Sequence, residues 1–278
     1  MKWQKLGRIF NPVDFKLPND CKEFAQSPQA LVFEDFVRIY FSTRAVEPST
    51  GKFLSHIAFV DMDKNFQSVL NISKHPVISL GGLGCFDEHG IFPINVVREK
   101  DRILAYTCGW SRRSSVSVET STGLAVSTNN GDSFTKYGTG PVMTASLNEP
   151  FLVGDAFVRL FDGQYHMWYI YGTRWIDNSV EETARVYKIG HAVSHNGVEW
   201  KRDGKQIITD SLNKDECQAL PTVLYYKGRY HMFFCFREAI GFRKNKDREY
   251  RIGYAFSDNI VDWVHNDAAC DIGFSAED

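Results

Sequence analysis

A seven-residue segment recurs four times along this chain, and its spacing limits the fold more than any other feature. The copies read Ser-His-Ile-Ala-Phe-Val-Asp at 55–61, Thr-Gly-Leu-Ala-Val-Ser-Thr at 122–128, Lys-Ile-Gly-His-Ala-Val-Ser at 188–194 and Arg-Ile-Gly-Tyr-Ala-Phe-Ser at 251–257. Their alanines, Ala58, Ala125, Ala192 and Ala255, stand 67, 67 and 63 residues apart. A fixed period means a repeated supersecondary unit that buries its apolar face against its neighbours. Turns that deliver an aromatic follow two copies, at Asn130–Phe134 and Asn196–Trp200, with a looser version at Asp258–Trp263.

Each copy is preceded by two apolar runs rich in β-branched and aromatic residues, at 30–44, 94–110, 156–172 and 222–238. Their turns are Glu34-Asp35, Glu99-Lys100-Asp101, Asp162-Gly163 and Lys227-Gly228. Such pairs of runs read as β-hairpins. A closing segment follows the third strand: His75-Pro76-Val77-Ile78, Gly140-Pro141-Val142-Met143 and Gln206-Ile207-Ile208. Four antiparallel strands per repeat predict an all-β fold, a β-propeller of four-stranded antiparallel blades. The expected blades are 30–80, 94–145, 156–210 and 222–275, in one domain over 1–278, with 3–12 as a closing strand. On this period a fifth blade would be incomplete, and Glu277-Asp278 fall where its first strand would begin. A truncated chain, a four-bladed ring, and an open ring closed by a second copy all fit.

Charge and composition remove several classes of function. Lys and Arg total 32 and Asp and Glu 34, a net charge of −2. Nucleic-acid binders carry a basic surplus, so no nucleic acid is expected as partner. No apolar run approaches the ~20 residues of a membrane span. Met1–Phe15 lacks a signal-peptide core, so a cytoplasmic protein with reduced thiols is expected. The six cysteines form no Cys-x-x-Cys pair. Neither a metal site nor a cofactor is expected.

Chemistry is expected at one rim of the blades, where the first strand starts and the second ends. Before the first strands stand Asp87-Glu88-His89, Glu149-Pro150 and Glu216-Cys217, while the first blade has Gln26-Ser27-Pro28 there. After the second strands come Arg44, Trp110, Arg174-Trp175 and Arg237-Glu238. Paired carboxylates cleave glycosides, one protonating the leaving oxygen and the other activating water or attacking the sugar. Asp87, Glu149 and Glu216 are the catalytic candidates. Arg44, Glu88, His89, Trp110, Arg174, Trp175 and Arg237 are the candidates for binding a sugar or oligosaccharide. The three arginines suit phosphate or a sugar acid. The plainer alternative makes each carboxylate a turn or capping group, with the arginines as its structural partners. Trp168, Trp200 and Trp263 read as core, and the basic loop Arg243–Arg248 as solvated surface or an overhang of the rim.

Certain segments resemble a known superfamily. They are Glu149-Pro150-Phe151 followed by Phe161-Asp162-Gly163-Gln164-Tyr165-His166-Met167-Trp168-Tyr169, and Glu216-Cys217 followed by Tyr230-His231-Met232-Phe233-Phe234. These resemble the five-bladed propeller glycosidases: arabinanases, β-xylosidases, invertases and levansucrases, of glycoside hydrolase family 43 and 32 type. The resemblance spans nearly the whole chain. A branch linked to bacterial surface-polysaccharide gene sets is most similar, through Phe86-Asp87-Glu88-His89-Gly90-Ile91-Phe92-Pro93, Gly109-Trp110 and Tyr250-Arg251-Ile252-Gly253-Tyr254-Ala255. It implies that Glu216 is the general acid and Asp87 or Glu149 the second carboxylate. The superfamily's first-blade Asp has no counterpart at Gln26–Gln29; Asp14 and Asp20 are the nearest acids. The expected function is a carbohydrate-active, glycoside hydrolase-like enzyme. The alternatives are a non-catalytic glycan-binding propeller and a phosphate-dependent glycosidase.

Overall fold

Tight turns and the alternation of buried and exposed residues cut the chain into short strands. The computed structural model describes residues 3–177, 183–270, 272 and 273, and divides into two units. One comprises Arg8–Arg113 and Val118–Thr144 and is called here the first unit. It holds β1 (Glu23–Val32), β2 (Val37–Val46), β3 (Phe53–Met62) and β4 (Val69–Ile72) as one antiparallel meander. A second meander holds β5 (Gly90–Glu99), β6 (Arg102–Arg112), β7 (Val118–Ser127) and β8 (Thr135–Lys136). The two meanders meet at a single parallel pairing, Ser55 with Gly90.

The second unit comprises the residues up to Gly7, Ser114–Ser117 and the chain from Ala145 onward. Its sheets are β9 (Val153–Phe161), β10 (Gln164–Ile176), β11 (Ala184–Ser194), β12 (Lys201–Arg202), and β13 (Glu216–Tyr226), β14 (Arg229–Glu238), β15 (Arg251–Ser257), β16 (Val264–His265). The hairpins expected from sequence are present, and each first strand starts earlier than expected. Asp162-Gly163 and Lys227-Gly228 have φ of 49°, 78° and 50°, 78°. Positive φ at both central residues is the type I′ geometry that matches strand twist.

The repeat alanines are sealed inside the packing. Ala58, Ala125 and Ala255 are 0% exposed and Ala192 1%. The last three pair in register with a basic or titratable residue of the following short strand: Lys136, Arg202 and His265. The repeated turns share one hydrogen-bond scheme. Ser127, Ser194 and Ser257 Oγ donate to the Oδ1 of Asn129, Asn196 and Asn259 at 2.7, 3.1 and 3.1 Å. Side-chain bonding of this kind lets Ser and Asn fix a turn without a backbone ladder.

The closing segments expected at 75–78, 140–143 and 206–208 are not the fourth strands, which lie several residues earlier. The segment at 140–143 meets the third strand at Thr122, which donates to Met143 O at 2.8 Å and accepts from Val142 N and Met143 N at 2.9 and 3.1 Å, and 206–208 meets it through Ile207 N to Ile189 O at 3.0 Å. The prolines at 76 and 141 lack an N–H, which prevents a continuous ladder there. Residues 3–12 form no strand. Trp3 instead lies edge-on to Phe233 and donates its Nε1–H to Cys270 O at 2.9 Å. Glu277 and Asp278 lie outside the described residues. Among the described residues no helix is long and apolar enough to cross a membrane.

Each unit has its own apolar core. In the first, Tyr40, Ile57 and Phe59 pack on Ile91, Ile94, Ile103 and Ala125. In the second, Phe157, Trp168 and Ile189 pack on Val223, Met232, Phe234 and Ala255. Trp168, fully buried, meets Trp263 edge-on, and His191 stacks on it at 5.3 Å. His166 Nδ1 lies 3.0 Å from His191 Nε2. Burial, and then the His166 neighbour, pull the His191 pKa down to about 4; burial also lowers that of His166. Above pH ~6.5 both imidazoles are neutral whether folded or not. Below it the unfolded chain takes up protons that the folded chain refuses. Stability is therefore expected to fall as pH drops from ~6.5 toward 4, and His191→Gln should flatten that slope in urea titrations. An unchanged slope would show that the pair does not set it.

Candidate functional site

The first strand of each four-stranded repeat is interrupted by a bulge. Register slips fall between Gln26 and Gln29, Ile91 and Ile94, Gly154 and Phe157, and Ala219 and Thr222. The intervening pairs are Ser27-Pro28, Phe92-Pro93, Asp155-Ala156 and Leu220-Pro221. Ser27, Asp155 and Leu220 have φ of 52°, 48° and 52°. Few non-glycine residues accept that region. A bulge bends its strand and re-aims a side chain, often beside an active site. The acid in this series is Asp155, in the second unit.

Asp155 is half-buried. Desolvation pushes its pKa up to about 6, against the opposing pull of a hydrogen bond from the Leu220 backbone and of the Arg185 charge. The Leu220 bond comes from the bulge of the neighbouring sheet, so one irregular backbone holds the acid carried by the other. Burial pushes the nearby Cys235 thiol up to about 11, with the Asp155 charge adding to the effect. Sequence reading missed Asp155 because it lies one residue ahead of the strand expected from 156, between that strand and the acid sought at Glu149. The available signal was its register with the three X-Pro pairs.

The three acids expected from the repeat are each 0% exposed. Asp87, in the first unit, lies 2.5 Å from Lys136 Nζ. It presses on bare backbone: a Cβ at Gly81 would stand 2.3 Å from Asp87 Oδ1. Glu149 accepts from Tyr169 Oη at 2.5 Å and lies 2.5 Å from Arg202 Nη1. Burial raises its pKa, and both partners oppose that rise. Glu216 Oε2 accepts the Ser211 and Leu212 N–H groups, each at 2.8 Å, and its Oε1 accepts Gln218 Nε2 at 2.9 Å. Lys136 and Arg202 are the residues paired with the repeat alanines. In two repeats, then, a cation on the last strand reaches back to the acid before the first strand.

The binding candidates fall into separate groups. In the first unit Glu88 Oε2 accepts the Gly84 N–H at 3.0 Å, and His89 stacks on Trp110 at 5.8 Å with Arg112 over the same ring at 5.6 Å. Glu88 and Arg112 also line a cavity of about 590 Å³ with Arg113 and Glu119. Arg44 lies over the Phe24 ring at 4.9 Å. In the second unit Arg174 pairs with Asp215, and Trp175 packs beside Ile176 against the buried group around Tyr187 and Cys217. Arg237, 4% exposed, donates to Tyr187 Oη at 2.9 Å and to Glu238 O at 2.7 Å, with its guanidinium 3.7 Å from the Phe242 ring centre. It lines a second cavity of about 280 Å³ with Arg185. Among the described residues no group of three or more His, Cys, Asp or Glu side chains could hold a metal ion.

The fold is that of the propeller glycoside hydrolases. A thermostable family-43 glycoside hydrolase superposes with a TM-score of 0.61 at 16% identity, covering 88% of this chain and 72% of the other. The endo-arabinase of Bacteroides thetaiotaomicron gives 0.56 at 12% identity, covering 87% and 80%. A family-32 β-fructofuranosidase of Bombyx mori in complex with sucrose gives 0.60 at 13% identity, covering 87% and 48%. No protein-family model matches the chain. Two curated relatives, both described as an uncharacterized protein of Mycobacterium tuberculosis, are each 30% identical over 269 residues, 95% of this chain and 82% of theirs. The chain belongs to the family of these mycobacterial proteins.

Proposed function

We propose that this protein cleaves or transfers a glycosyl unit and that Asp155 supplies the proton. One observation carries the reading: a half-buried carboxyl, set on a strand bulge at positive φ, with its pKa pushed up to about 6. A general acid works best with a pKa near the working pH, and glycosidases lift one carboxyl for that purpose. Asp155 would protonate the glycosidic oxygen as the bond to the sugar breaks. The fold shared with glycoside hydrolases supports the same class of substrate. We assign Asp87, Glu149 and Glu216 to fixing the strand starts, since all three are fully buried against partners in the chain. The test is release of reducing ends from a panel of neutral and acidic oligosaccharides, with and without phosphate. A phosphate requirement would mark phosphorolysis.

A second reading rests on the same sealed acids: a propeller that binds glycans without cleaving them. Binding on a glycan array with no turnover on any member would favour it.

A further inference from the structure

The smaller cavity of the second unit has an unusual lining. Arg185, Arg237, Arg243 and Lys244 all border it, together with Ser117 and Thr183, and among the described residues no Asp or Glu does. In a chain of net charge −2, four cations around about 280 Å³ are a local excess that the composition does not require. Three elements assemble it. Arg185 enters on the start of β11, Arg237 on the end of β14, and Arg243 and Lys244 on the loop between β14 and β15. That loop, expected to be simple solvated surface or an overhang, is tied back onto itself. Lys244 N and Asn245 N both bond Gly241 O, and the Asn245 side chain caps the turn Lys246–Arg248. Gly241 needs its freedom here, with φ at +76°.

Arg237 gives the independent sign of a ligand. It is 4% exposed, and among the described residues its Nε–H, buried, has no acceptor. A buried charged donor left without an acceptor is costly. Its other donors go to Tyr187 Oη, to the carbonyls of Glu238 and Ala239 and to the Tyr250 side chain, and the rings of Phe242 and Tyr250 flank the guanidinium. A fixed guanidinium beside further cations suits a planar or tetrahedral oxyanion.

We infer that this cavity binds the oxyanion of a carbohydrate substrate or co-substrate: a sugar carboxylate, a sugar phosphate or inorganic phosphate. The inference rests on the carbohydrate reading above and names the charge of what is recognised. Arg185 connects the two, since it lines the cavity and its charge acts on Asp155. The test is calorimetric titration of the full chain with galacturonate, glucose 1-phosphate, inorganic phosphate and galactose. The anionic sugars should bind at least about tenfold tighter than galactose, and the margin should shrink as salt is raised. The exposed pair Arg243→Gln/Lys244→Gln should weaken the anions about fivefold or more with an unchanged melting temperature. Galacturonate binding without phosphate binding identifies a sugar acid; phosphate binding as tightly as glucose 1-phosphate identifies a free co-substrate. Equal affinity for galactose and the anions, or no effect of the double variant, overturns the inference. Anion binding without turnover on any sugar would sink the enzyme reading and leave the anion site standing. Turnover of neutral sugars with no anion preference would do the reverse.

Discussion

Asp155→Asn is expected to cut turnover about 10²- to 10⁴-fold, the usual contribution of a positioned general acid. The substitution keeps size and shape, and the amide oxygen can still accept the Leu220 N–H. The melting temperature should therefore move little. The pH profile adds a second readout. Asp155 must be protonated to donate, so wild-type activity should fall as pH rises through about 6, and that limb should disappear from the residual activity of the variant. Glu216→Gln makes the contrast. An amide oxygen can keep the two N–H bonds now made to Glu216 Oε2, but its NH₂ would meet the Gln218 amide. The cost should fall on stability, about 1–3 kcal/mol, with turnover changed only a few-fold. Loss of activity in Glu216→Gln with retention in Asp155→Asn would transfer the proton to Glu216.

The largest stability effect is expected in the first unit. Arg38 is 4% exposed and faces Asp61, also 4% exposed, through two bonds, Nε to Oδ1 at 2.6 Å and Nη2 to Oδ2 at 2.8 Å. Asp132 and the Asn130 carbonyl take its remaining Nη1, and its Cζ sits 3.7 Å from the Phe59 ring centre. Arg38→Met would leave the Asp61 carboxyl buried and, among the described residues, with Asn71 Nδ2 at 3.1 Å as its remaining side-chain partner. Breaking a buried pair from one side typically costs ~3–5 kcal/mol, because the surviving charge is uncompensated. Urea unfolding should show that loss. Arg38→Met/Asp61→Leu should cost clearly less than the two single changes together, because the second removes the stranded charge. Additive costs would mean that the pair is not coupled.

The repeat was readable because its constraint is local. An alanine buried to 0–1% exposure recurs at one point of the unit, and a Ser-x-Asn turn fixes itself with its own side chains. The bulges were not readable by alternation, because one extra residue shifts the pattern and moves the apparent strand start. That is why the first strands begin earlier than their apolar runs indicated, and why Asp155, one residue ahead of its run, was passed over. The acids Asp87, Glu149 and Glu216 were visible as a series in register. Their burial was not visible, since it depends on Lys136, Arg202 and the Ser211–Leu212 backbone folding back onto them. The basic loop shows the opposite case. Its charges were evident in the sequence, and only the turn capped by Asn245 brings two of them to the cavity of Arg237.

A crystal structure of the Asp155→Asn variant with an oligosaccharide cleaved by the wild-type protein tests the central claim most directly. The glycosidic oxygen should lie about 2.6–3.2 Å from the substituted side chain at position 155, the reach needed for proton transfer in the wild type. A well-ordered sugar bound elsewhere, with no bridging oxygen near that side chain, would contradict the assignment of the proton to Asp155.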